Sequence, residues 1–307
     1  MRIKSTTQTI IISEIKNNIR GRLLTQEPMA NHTSLRVGGV ANLYHYPQSR
    51  EDLSKLLKFC AKRNIEVFII GYGTNLLVSD DGFDGCVIDL SDACRELERD
   101  GNEFTVGAGV WGGDLVRFAA EIGYAGIASL AGIPGSVGGW MKMNAGAFRH
   151  TISEVTKSVE VMSSNGEISD LDNEEINYAY RRSPGLDGKI VTGAKFILSK
   201  ADRSEVTAEV DKTIETRYER NVMTLPSAGS IFKNPTGYFA AKLIESLGFK
   251  GKQSGNVHIS KRHANFIVNS GGGCASDVKD LIEIIKDKVN TEFNVELETE
   301  VKMLGWN

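Results

Sequence analysis

"AGIPGSVGGWMKMNAGA", residues 131–147, carries five glycines, one proline and no acidic side chain. Backbone this poor in side chains cannot bury much of itself, so something must lie against it: another stretch of chain, or a ligand that needs the main chain close. A second segment, "IGYGTNLLVSDDGFDG" (70–85), has the same character, with the apolar run VFII (67–70) reading as a strand that opens into Gly71 and Gly73 beside Thr74 and Asn75. Consecutive N–H groups in such turns form a concavity for anions. Asn75, Ser136 and Asn144 add side-chain hydrogen bonds suited to ribose or pyrophosphate. Neither segment ends in the Lys-Ser/Thr of a P-loop, which argues against an NTPase. From the residues alone, sharp turns between strands and a phosphate cradle both remain open.

The chain has 307 residues with 41% hydrophobic content, enough for two domains or one large one. A net charge of −3 argues against nucleic acid as the main partner. Cys60, Cys86, Cys94 and Cys274 are scattered without a CxxC pair, and the five histidines show no ligand spacing, so neither zinc nor a disulfide framework is expected. His258 and His263 flank a short basic stretch and read as structural or surface residues. TIIISEI (9–15) is too short for a signal core and no run approaches a membrane span, so the expectation is a cytoplasmic protein with no membrane insertion.

Apolar spacing predicts helices near 10–19 and over 51–64, 114–123, 204–220, 238–248 and 276–293. Strands are expected at 67–70, 86–90, 103–110 and 189–198, and a hairpin over 155–172 turning at Asn165-Gly166. Further strands are expected at VHIS, NFIVN and VELETEVKML. In the last of these, Val295, Leu297, Val301 and Met303 would share one face, leaving Glu296, Glu298, Glu300 and Lys302 on a solvated one. The change of character near residue 203 predicts an N-terminal helix (1–21), a strand-rich α+β half (22–203, subdivided near residue 90) and a helix-richer α/β half (204–307). "GAGVWG" (107–112) matches G-x-G-x-x-G between a strand and a helix. Yet no Asp or Glu lies between Glu121 and Glu154, where a dinucleotide site needs its ribose-binding acid. A tight strand-to-helix turn is the favoured reading.

Six motifs occur in order: NHTSLRVGG (31–39), GTNLLVSDDGF (73–83), LAGIPGSVGGWMKMNAGAF (130–148), YRRS (180–183), PSAGSIFKNP (226–235) and LETEV (297–301). Together they resemble the UDP-N-acetylenolpyruvoylglucosamine reductase (MurB) family from about residue 31 to the C-terminus. The resemblance implies an α+β protein: an FAD-binding fold of the vanillyl-alcohol-oxidase (PCMH) type, followed by an α/β substrate-binding domain. Cofactor contacts would come from Gly71, Tyr72, Gly73, Thr74, Asn75 and Leu76, and from Gly132, Ile133, Pro134, Ser136, Gly138, Gly139, Asn144, Gly146 and Ala147. Some relatives of that fold tether flavin through His or Cys near the first glycine loop; 71–76 contains neither, so FAD is expected to bind non-covalently.

The implied reaction is NADPH-dependent reduction of an enolpyruvyl ether of a UDP-sugar to a lactyl ether, by way of FAD. It needs a cation over the pyruvyl carboxylate, a partner for the enolate, and a proton donor beside the carbon. By motif position these are Arg181, Glu300 and Ser230, with Tyr180, Lys233 and Asn234 on the substrate. Arg181 suits a carboxylate because its planar fork is permanently charged. Without the resemblance, Ser230 beside Gly229 reads as a turn residue and Glu300 as a decoration of a strand face. Only Ser183–Gly188 separates Arg182 from Lys189, so the chain resembles the branch lacking a Tyr-bearing loop insertion there. Trp140 stands where relatives carry Ala and is expected to narrow the cavity near the flavin; RNVMTLP replaces the usual approach to PSAGS. A monomer is expected. A flavin-binding paralogue without reductase activity and a Rossmann-type oxidoreductase remain as alternatives at this point.

Overall fold

The computed structural model describes residues 5–220, 222 and 224–306. Two compact units account for them. The first draws on the chain up to Glu27, on Asn42–Gly71 and on Asp84–Ile214; the second on Pro28–Ala41, Tyr72–Phe83 and the chain from Glu215 onward.

The first unit is built on two sheets. In one, Gly21–Pro28, Val40–Pro47, Phe83–Asp89 and Val67–Ile70 lie in that order, with Val67–Ile70 parallel to Phe83–Asp89. The helix Arg50–Lys62 precedes Val67–Ile70 in the chain, and its Leu53, Leu56, Leu57 and Cys60 are all buried, as the i, i+3, i+4 spacing requires. Ser49 caps it by accepting the Asp52 N–H at 3.1 Å. The N-terminal helix Ser5–Asn18 contributes Ile11 and Ile15 to the same core, followed by Ile19.

The second sheet is antiparallel throughout, in the order Ile168–Asp172, Thr156–Met162, Ile190–Ile197, Glu103–Gly107, Leu97–Asp100. Its hairpin turns through Ser163–Glu167, where the Gly166 N–H donates to Ser163 O at 2.9 Å and Gly166 alone takes positive φ, +79°. That is a three-residue loop with a glycine bulge rather than a two-residue Asn-Gly turn.

His45 lies in Val40–Pro47 with no exposure, and neither ring nitrogen has a partner among the described residues. Burial lowers its pKa from 6.5 to about 4, opposed in part by the nearby Asp52 carboxylate. The folded protein thus keeps the imidazole neutral where the unfolded chain would protonate it. This stability is intact above pH 6.5 and is lost as pH falls toward about 4, with a ceiling on the order of 3 kcal/mol. His45→Leu should therefore shrink the drop in urea unfolding midpoint between pH 7.5 and pH 5. An undiminished drop would assign the acid sensitivity to other groups.

The second unit pairs the strands Ser227–Ser230, Phe266–Asn269, Val257–Ile259 and Gln253–Ser254 in one antiparallel sheet. Against it pack the helices Ala240–Ser246 and Ala275–Phe293, whose Val278, Leu281, Ile282, Ile285 and Val289 share a core with Leu35, Val37 and Leu77. Leu76–Val78 runs parallel to Lys302–Leu304. Asp80, just beyond it, takes the N–H groups of Ala275 and Ser276 at 2.8 Å each, capping the long helix from a distant part of the chain.

The expected strand over 294–303 is only partly formed. Regular pairing is confined to Lys302–Leu304, preceded by a single bridge between Thr299 and Phe232. The N–H groups of Glu300 and Val301 both point at Ile231 O, at 2.7 and 3.4 Å, and two successive donors on one acceptor break the alternation. Leu304 is consequently buried while Met303 is 36% exposed, and Glu300 is half-buried instead of standing on a solvated face.

Candidate functional site

Much of the opening stretch is helical: Val137–Met143 forms a short helix inside the glycine-rich run. Its N-cap is Ser136, whose Oγ accepts the Gly139 N–H at 3.2 Å. The Val137 and Gly138 N–H groups donate to Val110 O and Ala108 O, both at 2.9 Å. The amide groups of 137–139 are thus engaged within the protein, and Gly138 is small because a Cβ there would sit 2.9 Å from that of Ala108. Gly139 differs: it is exposed, and a Cβ there would meet only Ser136 Oγ, at 3.4 Å, leaving that side of the backbone open. Gly71 is also exposed, and a side chain on it would collide with Ser136 Oγ at 2.4 Å. Gly132, Ile133 and Pro134 lead into the capped helix, with the Ile133 N–H held by Leu130 O at 3.0 Å.

Trp140 is an interior residue. It is 3% exposed, and its ring occupies the place a Gly112 side chain would take. That also explains GAGVWG. Side chains at Gly107 and Gly109 would strike the backbone of Cys94 and Leu90–Ser91, and at Gly112 the Trp140 ring, so these glycines serve packing.

Asn144 ends the short helix in the left-handed region, φ +42°, and two reciprocal clasps follow. Asn144 Nδ2 donates to Ala179 O at 3.2 Å, and Arg181 Nη2 donates to Gly146 O at 2.9 Å. They fasten the 179–182 turn to the segment that leads into the Gly146–Ala147 strand. The turn closes between Ala179 and Arg182 and holds Arg181 at φ +55°, a conformation that a non-glycine side chain adopts at a cost of about 1 kcal/mol. Tyr180 is 53% exposed, with the Arg181 guanidinium 5.3 Å from its ring centre. Arg182 instead pairs with Asp187 in solvent, at 2.9 Å. Asn144 Oδ1 is buried with no partner among the described residues. An orphaned acceptor in the segment that follows the exposed Gly139 fits a bound group that carries donors, such as the hydroxyls or amide edge of a flavin nucleotide.

In the second unit, Tyr72, Gly73, Thr74 and Asn75 form the loop that runs into Leu76, the first residue of the strand Leu76–Val78. Gly73 is held close to the main chain of His32, whose carbonyl oxygen a Cβ would strike. Ser230 closes the strand Ser227–Ser230, whose register slips between its two ends. Such irregularities re-aim side chains next to active sites. Because the Glu300 N–H donates to Ile231 O at 2.7 Å, Ser230 and Glu300 stand on adjoining segments. Lys233 Nζ pairs with Glu298 Oε1 at 2.6 Å, its side chain 14% exposed. Asn234 Oδ1 accepts the Ala240 N–H at 3.0 Å, at the start of the helix Ala240–Ser246.

Asn265 escaped the reading of NFIVN as a plain strand. It is 4% exposed; its side chain accepts the Phe232 N–H at 3.0 Å and donates to Phe232 O at 2.8 Å, fixing the chain just past Ser230. A buried asparagine at a strand's edge was the available signal. Among the described residues no three His, Cys, Asp or Glu side chains gather as a metal site would need.

Comparison with known proteins bears on both units. The family model for the UDP-N-acetylenolpyruvoylglucosamine reductase C-terminal domain matches residues 205–304, and that for an FAD binding domain matches 41–172. The chain is 40% identical to UDP-N-acetylenolpyruvoylglucosamine reductase of Clostridium novyi, covering 95% of this chain and 92% of that protein. It superposes on the crystal structure of UDP-N-acetylenolpyruvylglucosamine reductase (MurB) from Thermus caldophilus with a TM-score of 0.80 and 32% identity, covering 93% and 99% of the two chains. A glucose dehydrogenase, Phl p 4.0202, shares the fold alone, with a TM-score of 0.50 and 16% identity over 63% of this chain and 44% of that one. The α+β architecture, with a PCMH-type FAD-binding part and a C-terminal domain, is as the motifs implied.

Proposed function

Because the chain belongs to the UDP-N-acetylenolpyruvoylglucosamine reductase family, we propose that Arg181, Ser230 and Glu300 carry its chemistry. The enzyme is an FAD-dependent reductase of peptidoglycan precursor synthesis, which forms UDP-N-acetylmuramate from the enolpyruvyl ether with NADPH as reductant. FAD, when bound, supplies a carrier that takes hydride from NADPH and releases it to the vinyl carbon.

The protein's own groups do the rest. Arg181 holds the pyruvyl carboxylate through its charged fork, pre-aimed by the turn that fixes it and by its bond to Gly146 O. As hydride arrives, charge builds on the neighbouring carbon and spreads into that carboxylate. Glu300, as a carboxylic acid, steadies the enolate by donating its O–H. Ser230 delivers the proton to carbon. The observation that most supports this division is the 2.7 Å bond from the Glu300 N–H to Ile231 O, which places acid and hydroxyl on adjoining backbones. Tyr180 and Lys233 serve the substrate. Asn234, engaged at a helix start, contributes through the loop it shapes. Gly71–Leu76, Gly132–Pro134, Ser136, Gly138, Gly139, Asn144, Gly146 and Ala147 form the non-covalent FAD surface.

We further read the protein as a cytoplasmic monomer that uses neither nucleic acid nor membrane. Its net charge is −3, and among the described residues no helix is long and apolar enough to cross a bilayer.

The visible spectrum of purified protein, followed by anaerobic reoxidation of the NADPH-reduced enzyme with UDP-N-acetylglucosamine enolpyruvate, tests the whole assignment. A flavin that does not reoxidise would leave a cofactor-binding protein without this activity. Gly139→Val should fold normally, since the added side chain meets little protein, yet retain FAD about tenfold less tightly by flavin fluorescence titration. Unchanged retention removes Gly139 from the cofactor surface.

A further inference from the structure

We infer that Asn75 is a positioning residue for Glu300, gripping the backbone on both sides of the residue that follows it, so that the first glycine loop sets where the carboxyl group stands. Asn75 Nδ2 donates to Glu300 O at 3.1 Å, and the Lys302 N–H donates to Asn75 O at 3.0 Å. A carbonyl oxygen only accepts, so the nitrogen side of the Asn75 amide must face it, and the amide's orientation is determined.

The local topology explains why a side chain is used. The parallel ladder between Leu76–Val78 and Lys302–Leu304 ends at Lys302, where the preceding chain leaves to meet Ile231. Asn75 supplies one more rung where the main chain can no longer do so. Glu300 is then anchored at its N–H by Ile231, next to Ser230, and at its carbonyl by Asn75. Without the Asn75 amide the Glu300 carbonyl loses this anchor, and at Ile231 O the Val301 N–H at 3.4 Å competes with the Glu300 N–H. The apolar packing of this region falls to Leu76, Leu77 and Val78, all buried, whereas Asn75 is half-buried. The role is one of geometry rather than of core stability.

This inference rests on Glu300 being a reacting group. It is tested with FAD-loaded Asn75→Ala, Asn75→Asp and the milder Asn75→Ser, with the two half-reactions followed separately under anaerobic conditions. Asn75→Asp keeps the shape but replaces the donor with a carboxylate that repels the carbonyl. Because Asn75 also lies on the proposed FAD surface, rates are compared at saturating FAD, where reduction by NADPH should slow far less than reoxidation. Reoxidation by UDP-N-acetylglucosamine enolpyruvate should slow about tenfold in Asn75→Ala and further in Asn75→Asp, the scale of a reacting group displaced by a fraction of an ångström. In a Glu300→Gln background, Asn75→Ala should add less than about twofold, since both changes act through one group. Parental reoxidation in the Asn75 variants beside a slow Glu300→Gln overturns this inference alone. So does equal slowing of both half-reactions, full additivity in the double variant, or FAD loss with a normal reoxidation rate at saturating FAD. A parental rate in Glu300→Gln overturns the assignment on which it rests.

Discussion

Ser230→Ala should bind FAD, be reduced by NADPH at the parental rate, and then reoxidise with the enolpyruvyl substrate about 10²-fold or more slowly, the scale of a positioned general acid. Neither FAD binding nor hydride entry asks for a hydroxyl; only the proton delivered to carbon does. The backbone argues that the substitution is conservative for the fold. Ser230 is half-buried at the end of its strand, and Ile231 and Phe232, which follow it, are buried and hydrogen-bonded through Asn265. Ser230→Cys should recover part of the rate, because a thiol also donates a proton. Stopped-flow absorbance of the flavin separates the steps. A variant slow in reduction by NADPH and normal in reoxidation would show that Ser230 is not the donor.

Glu300→Gln is expected to lower turnover by a hundredfold or more, with near-normal folding and FAD content. One electrostatic contact made chiefly in the transition state is worth about 3 kcal/mol, whereas a decorative surface glutamate changes stability by about 0.5 kcal/mol at most and leaves turnover alone. The amide keeps the shape and an N–H, but it cannot share a proton with an oxyanion as a carboxylic acid does. Glu300 is half-buried with its backbone N–H engaged, unlike a freely solvated surface glutamate. Steady-state rates of the FAD-saturated variant decide it, and unchanged turnover returns Glu300 to the status of a strand ornament.

What could be read from the chain depended on the range of the signal. The helix Arg50–Lys62 was legible because four buried positions repeat at helical spacing within one segment. The hairpin at Asn165-Gly166 was legible because its turn chemistry is local, although its loop holds one more residue than a two-residue turn. The short helix Val137–Met143 was hidden: seven residues starting Val-Gly-Gly have poor intrinsic propensity, and it forms on tertiary support from Ala108, Val110 and its Ser136 cap. Glu300 was misplaced for the same kind of reason. Alternation assumes a single partner strand, and this chain changes partner at Glu300, from Ile231 to Asn75. The motifs pointed to Ser230, Glu300 and Arg181 as the proposed reacting groups, but not to Asn265 or the clasp between Asn144 and the 179–182 turn, since pairings between distant residues leave no local period.

The remote cap on the long helix has a consequence for synthesis. Asp80 is translated 195 residues before the Ala275 N–H it receives. At roughly 5–20 residues per second, that interval lasts about 10–40 s. Throughout it Leu76, Leu77 and Val78 lack the Lys302–Leu304 strand that pairs with them, and Leu35, Val37 and Leu77 lack the helix that completes their core. The nascent chain therefore carries an apolar, unpaired strand throughout that interval, a window in which chaperones compete with aggregation. Synthesis of Lys302–Leu304 closes both the ladder and the backbone frame around Glu300, so a chain cut short before Lys302 lacks that pairing and that frame.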